Sequence, residues 1–215
     1  IMDEEISIIN TKTRNEKIKD FFIDNKKKLI SIVLLLIFII LSFYSFQIYQ
    51  DGVKKKISEK FNDAILEYKN GDKSKTTILM KDVILDEDST YSPLALYFIL
   101  DNNLIENKTE INQLFDSLIN DLPLEKEIKN LIIYKKALFN ADTVNENELL
   151  RIIAPVLNSE SVWESHVLYL MAEYFYSKNE KQKSKEFFEK IINLKNANQD
   201  IIKETQKRLN RDLSE

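Results

Sequence analysis

The sequence predicts an all-α protein, in which a single N-terminal transmembrane helix is followed by an α-solenoid of paired antiparallel helices. Three observations carry this. One uncharged run is long enough to cross a bilayer, and the apolar residues beyond it recur at helical rather than strand spacing. Glycine and proline, the strongest breakers of regular structure, number only 2 and 3 among 215 residues.

Residues Leu29 to Gln50, LISIVLLLIFIILSFYSFQIYQ, hold no charged side chain. A helix of this length spans ~33 Å, enough for the ~30 Å hydrocarbon core of a bilayer. From Ile30 to Leu41 only Ser31 is polar, so no stripe marks a water-facing side as it would in a soluble core helix. A cleaved signal peptide has a shorter apolar run and small residues at its end. Here Phe43, Tyr44, Phe46 and Tyr49 stand where a peptidase needs small side chains, so the segment is expected to be retained as an anchor.

Lysines flank both ends of the span. Arg14, Lys17, Lys19, Lys26, Lys27 and Lys28 precede it; Lys54, Lys55, Lys56 and Lys60 follow it. The excess on the first side favours a cytoplasmic tail over residues 1–28, an anchor over 29–50 and a domain over 51–215 across the membrane. Tyr44 and Tyr49 fit an aromatic belt at the far interface.

Residues 51–215 contain 24 Lys or Arg and 29 Asp or Glu, with the two signs interleaved. That balance argues against a nucleic-acid surface, which needs a basic face. Cysteine is absent and His166 is the only histidine, so thiolate or His-rich metal sites and disulfides have no residues to build them. Two glycines leave no nucleophile elbow and no phosphate-binding loop. Asp86-Glu87-Asp88 lacks the spacing of a calcium loop and is read as a solvated helix end. No enzymatic activity, cofactor or small-molecule substrate is expected.

Apolar spacing places helices near 53–69, 74–86, 92–103, 109–121, 124–140, 146–157, 161–177, 181–194 and 198–212. Ser92-Pro93, Asn145-Glu-Asn-Glu148 and Ser161-Val-Trp-Glu164 read as helix starts. Asn70-Gly71-Asp72 and Ser177-Lys178-Asn179 read as turns. Pro155 is expected to kink or end its helix.

Short turns between such helices imply consecutive antiparallel pairs. The unit VWESHVLYLMAEYFYSKNEKQKSKEFFEKII, residues 162–192, resembles a tetratricopeptide repeat through Ala172, Asn179, Ser184 and Phe188. Small side chains let two helices approach, and the aromatic fills the groove between pairs. Ala64, Gly71, Thr76 and Met80 repeat that register, with methionine for the aromatic; Ala95 begins a weaker copy. Residues 124–158 form a plausible pair in which Ala137 and Ala141 do not align cleanly. The last helix reads as a cap.

Taken with the anchor, KIKDFFIDNKKKLISIVLLL at 17–36, YSPLALYFI at 91–99 and SVWESHVLYLMAEYFYSKNEKQKSKEFFEKII at 161–192 resemble the YfgM-type ancillary subunit of the SecYEG translocon, in its α-proteobacterial form. The resemblance implies a bacterial inner-membrane protein with periplasmic repeats. Its implied partners are translocon subunits, periplasmic chaperones or exported chains. An adaptor for envelope assembly or cell division is the alternative, and repeats in the cytoplasm would change every partner. In tetratricopeptide solenoids the inner helices line a concave groove; His166, Tyr169, Glu173 and Tyr176, with Tyr68 in the first repeat, are the corresponding candidates for protein binding. Packing of these tyrosines against neighbouring helices is the competing expectation.

Overall fold

The structure is a computed structural model that describes residue 16 and residues 19–213. The rest of the expected tail before residue 19, and residues 214 and 215, lie outside the described residues. The chain divides into two compact units, residues 1–56 and residues 57–215. Every regular element among the described residues is helical.

In the first unit, residues 19–24 are helical and lead into α1 (Lys26–Lys69). The expected break between the anchor and the next helix is missing, because α1 continues through Gly52. A single interior glycine costs a helix only about 1 kcal/mol, too little to end one flanked by good helix formers. The apolar stretch of α1 is long enough to cross a membrane and is not buried against protein; Phe38 is 70% and Ile48 71% exposed.

The second unit begins with residues 57–69 of α1 and continues with α2 (Lys73–Leu85), α3 (Tyr91–Asp101), α4 (Lys108–Asp121) and α5 (Lys126–Asn140). It ends with α6 (Glu146–Leu157), α7 (Glu164–Ser177), α8 (Lys181–Asn193) and α9 (Gln199–Asp212). Side-chain oxygens of Asp72, Asn107, Asn145 and Asn198 accept from the first-turn amides of α2, α4, α6 and α9. Three odd-numbered helices close alike. Gly71, Asn103 and Asn179 have φ of 89°, 49° and 61°. The next amide in each case bonds back across the turn, from Asp72 to Glu67, Leu104 to Ile99 and Glu180 to Phe175, at 2.9–3.1 Å.

These closures fold the helices into pairs whose odd and even members contact their own kind. Phe61 meets Tyr91 and Tyr68 meets Phe98 between α1 and α3, with ring centroids 5.8 and 5.2 Å apart. Tyr134 stacks on Trp163 between α5 and the start of α7 at 5.9 Å. Ion pairs Lys81–Glu110 and Lys183–Glu146 join α2 to α4 and α6 to α8.

The core repeats with the helices. Ala64, Ala95, Ala137 and Ala172 on α1, α3, α5 and α7 are each 0% exposed. The fourth and eighth residues of each following even helix are buried as well: Thr76 and Met80, Ile111 and Phe115, Leu149 and Ile153, Ser184 and Phe188. In two pairs the alanine is clustered with its partner helix, Ala137 with Leu149 and Ile153 and Ala172 with Phe188 and Ile191, where a small side chain allows close approach. In the central pair Ala137 is buried beside Leu149 and Ile153, so the burial pattern extends to it. At the fourth residue of the even helices, Ile111 and Leu149 are branched aliphatics where the first and last pairs have Thr76 and Ser184.

One expected cap is corrected and the other has a second partner. Ser92 lies inside α3, fully buried, and donates to the Val83 carbonyl of α2 at 3.0 Å; Asp88 accepts from the Thr90 and Tyr91 amides instead. Ser161 precedes α7 by three residues; its hydroxyl accepts from the Trp163 amide at 3.1 Å, as a cap does, and also donates to Glu127 of α5 at 2.7 Å. Pro155 lies in the last turn of α6, which ends at Leu157. In the acidic run, Asp86 takes Lys60 as an ion partner at 2.6 Å and Asp88 caps α3.

Candidate functional site

Side chains of the odd helices converge in two places. The first is along α7, where His166, Tyr169, Glu173 and Tyr176 succeed one another at +3, +4 and +3 and so share a face. At its start the His166 ring lies 4.9 Å from Trp163 and 5.6 Å from Tyr134. Burial lowers the His166 pKa, with the Val162 carbonyl opposing part of the effect, and Nδ1 finds no partner of hydrogen-bonding geometry. This imidazole is therefore held neutral.

Further along, Tyr169 packs edge-on against the fully buried Phe188 of α8, centroids 5.4 Å apart. Burial, with the charge of Glu173 and Glu204 nearby, pushes its phenol up to about 12. Arg208 of α9 donates from Nε and Nη2 to the two carboxylate oxygens of Glu173, both at 2.7 Å. The same guanidinium lies 4.4 Å from the centre of the Tyr176 ring. Glu173 and Tyr176 thus hold α9 on α7. Tyr68 stands apart from this group, on α1 against Phe98. All five sequence candidates keep part of their surface exposed.

The second place, which sequence reasoning missed, is the seam between α3 and α5. Two clefts open on either side of Tyr97. One, of about 520 Å³, is lined by Pro93 and Leu94 of α3, by Pro123 and Leu124, and by Ile128 and Leu131 of α5. The other, of about 610 Å³, lies among the end of α3, the segment before α4, and Lys135 and Phe139 of α5. Leu94 and Ile128 are 43% and 40% exposed, although α3 is otherwise apolar and largely packed. Such partly exposed apolar side chains around a cleft suit contact with another polypeptide.

Tyr97 itself is unusual. Its hydroxyl is buried without a hydrogen-bond partner, and burial pushes its pKa up to about 12. Lys135 Nζ lies 5.3 Å from the centre of its ring. The phenol is a donor waiting for an acceptor, and it cannot serve as a base near neutral pH. The only legible signal was an exposed leucine and a tyrosine inside the apolar run YSPLALYFI.

Among the described residues no three His, Cys, Asp or Glu side chains gather to hold a metal ion. No family model matches the chain, and neither does any curated protein or solved structure.

Proposed function

We propose that this protein is a membrane-anchored, tetratricopeptide-like scaffold that binds protein partners through its odd-numbered helices and performs no catalysis. The observation that carries this reading is the fourfold recurrence of one packing pattern: a buried alanine on each of α1, α3, α5 and α7, with two buried positions on each following helix. Stacked pairs of this kind bury a continuous core and leave one layer of helices available to partners. The open α3–α5 seam and the half-buried side chains Tyr68, His166, Tyr169, Glu173 and Tyr176 supply the contact surface.

In this reading residues 29–50 span the bacterial inner membrane, the tail stays in the cytoplasm and the repeats lie in the periplasm. The excess of flanking positive charge before the span supports that orientation, and the length of the apolar stretch of α1 supports the span itself. The resemblance to the YfgM-type subunits points to the Sec translocon, periplasmic chaperones or exported chains as partners. Two measurements test the arrangement. The chain should resist alkaline carbonate extraction from membranes, and a C-terminal alkaline phosphatase fusion should be active. An extractable chain removes the anchor, and an inactive phosphatase with an active cytoplasmic reporter at the same position reverses the topology.

A further inference from the structure

The span is preceded by an apolar patch that crossing the bilayer does not require. Backbone bonds from Asn25 N to the Phe21 carbonyl at 3.0 Å and from Leu29 N to the Asn25 carbonyl at 2.9 Å carry helical geometry across Asn25. Faces can therefore be read from residue 19 into α1. Lys19, Phe22, Ile23 and Lys26 follow the i, i+3, i+4, i+7 pattern of one face, whereas Asp20 and Asp24 share another. Phe22 and Ile23 are 58% and 59% exposed, and Lys19, Lys26, Lys27 and Lys28 are exposed as well.

An apolar pair bracketed by lysines one turn to either side suits a layer that is oily beneath and anionic above. Lysine stems lie along apolar surface while their ammoniums reach outward. From Ile23 to Leu29 the helix rises about 9 Å, which sets the pair at headgroup depth. Asp20 and Asp24 fall off this face, which itself carries Lys19 and Lys26; Lys27 and Lys28, three and four residues after Asp24, lie on the side of the aspartates.

We propose that residues 19–28 form a binding surface for anionic phospholipid headgroups, in which Phe22 and Ile23 enter the interface, Lys19 and Lys26 bind lipid phosphates from the same face, and Lys27 and Lys28 add positive charge beside it. This rests on the membrane-anchor reading above. Lipid is the occupant because the patch lies on the same helical run as the apolar span, with residues 24–28 between them, so any chain anchored by α1 holds it near a bilayer. A preference for anionic lipid would also help retain this end of the helix on the leaflet richer in such lipid.

The test uses the full chain in vesicles containing spin-labelled phosphatidylglycerol or spin-labelled phosphatidylcholine. The fraction of label immobilised at the protein is read by electron paramagnetic resonance. The anionic label should be enriched several-fold over the zwitterionic one. The combined variant Lys19→Gln, Lys26→Gln, Lys27→Gln and Lys28→Gln should abolish that preference, and Phe22→Ser with Ile23→Ser should weaken it. Equal immobilisation of both labels, a preference that survives the lysine variant, or one erased by millimolar inorganic phosphate would each overturn the proposal. Carbonate extraction of the same vesicles separates the failures. An embedded chain without lipid preference overturns this inference alone, and a chain that is not embedded overturns the anchor with it.

Discussion

Arg208 grips Glu173 with two parallel hydrogen bonds of 2.7 Å, joining α9 to α7 across 35 residues of sequence. The guanidinium is 13% exposed and the carboxylate 36%, and Asp212 pairs with the same arginine from below. Bidentate pairs of this kind are stronger than single hydrogen bonds, but partial exposure screens them. Arg208→Ala is expected to cost about 1–2 kcal/mol. A thermal melt and a double-mutant cycle with Glu173→Ala check it. Additive losses in that cycle would show that the two side chains do not act together.

The buried alanines set the distance between helices. Ala172 is fully buried in a cluster with Leu168, Phe188 and Ile191. Ala137 is fully buried beside Leu149 and Ile153. Ala172→Leu and Ala137→Leu are each expected to overpack their contact and to lower stability by about 1–3 kcal/mol. An unchanged melting temperature for Ala137→Leu would mean that the central pair does not share the repeat register.

His166 makes acid stability assignable, since it is the only histidine in the chain. Burial depresses its folded pKa below the ordinary value of 6.5, so the unfolded chain binds a proton that the folded one refuses. Stability is therefore full above pH 6.5 and falls as pH drops through that value toward the lower folded pKa. Glu164, raised mainly by burial and further by Glu160, contributes with the opposite sign in a neighbouring window. The useful quantity is the difference between the parent chain and His166→Phe, measured by urea unfolding from pH 7.5 to about 5. That difference should narrow as pH falls, in favour of the variant. Parallel curves would contradict it.

Tyr97→Phe separates a packing role from a binding one. Removing a buried hydroxyl that has no partner should leave stability unchanged or raise it by up to about 1 kcal/mol. If a bound partner supplies the missing acceptor, the same variant weakens association. A large loss of stability would mean that the hydroxyl is satisfied within the fold.

Local signals were readable from the sequence, whereas long-range ones were not. Asn145 caps α6, and Gly71 and Asn179 end α1 and α7 where turn chemistry placed them. Those features depend on residues within one or two turns. Gly52 does not divide α1, because one unfavourable residue cannot outweigh a helix that continues on both sides. Ser92 has the side chain of a helix cap but is engaged by Val83 of α2, and Ser161, which accepts from the Trp163 amide as a cap does, is also engaged by Glu127 of α5. The burial of Ala137 beside Leu149 and Ile153 was not legible, because α6 has neither the small nor the aromatic residue of the 162–192 unit at these positions. Of the candidate site, the α7 stripe was legible as a face. That Arg208 would reach it, and that α3 and α5 would part around Tyr97, depends on contacts between segments more than 30 residues apart.

The most direct test places a photoreactive side chain in the full anchored chain at Leu94, on the rim of the α3–α5 seam, and at Ile78, an exposed position of α2 in the other layer. Irradiation in intact cells is followed by denaturing gel analysis. A scaffold that binds through its odd helices should give discrete protein adducts from Leu94 and few from Ile78, and the Leu94 adducts should vanish when residues 29–50 are replaced by a cleavable export signal. No adduct from Leu94, or the same adducts from both positions, would contradict the account.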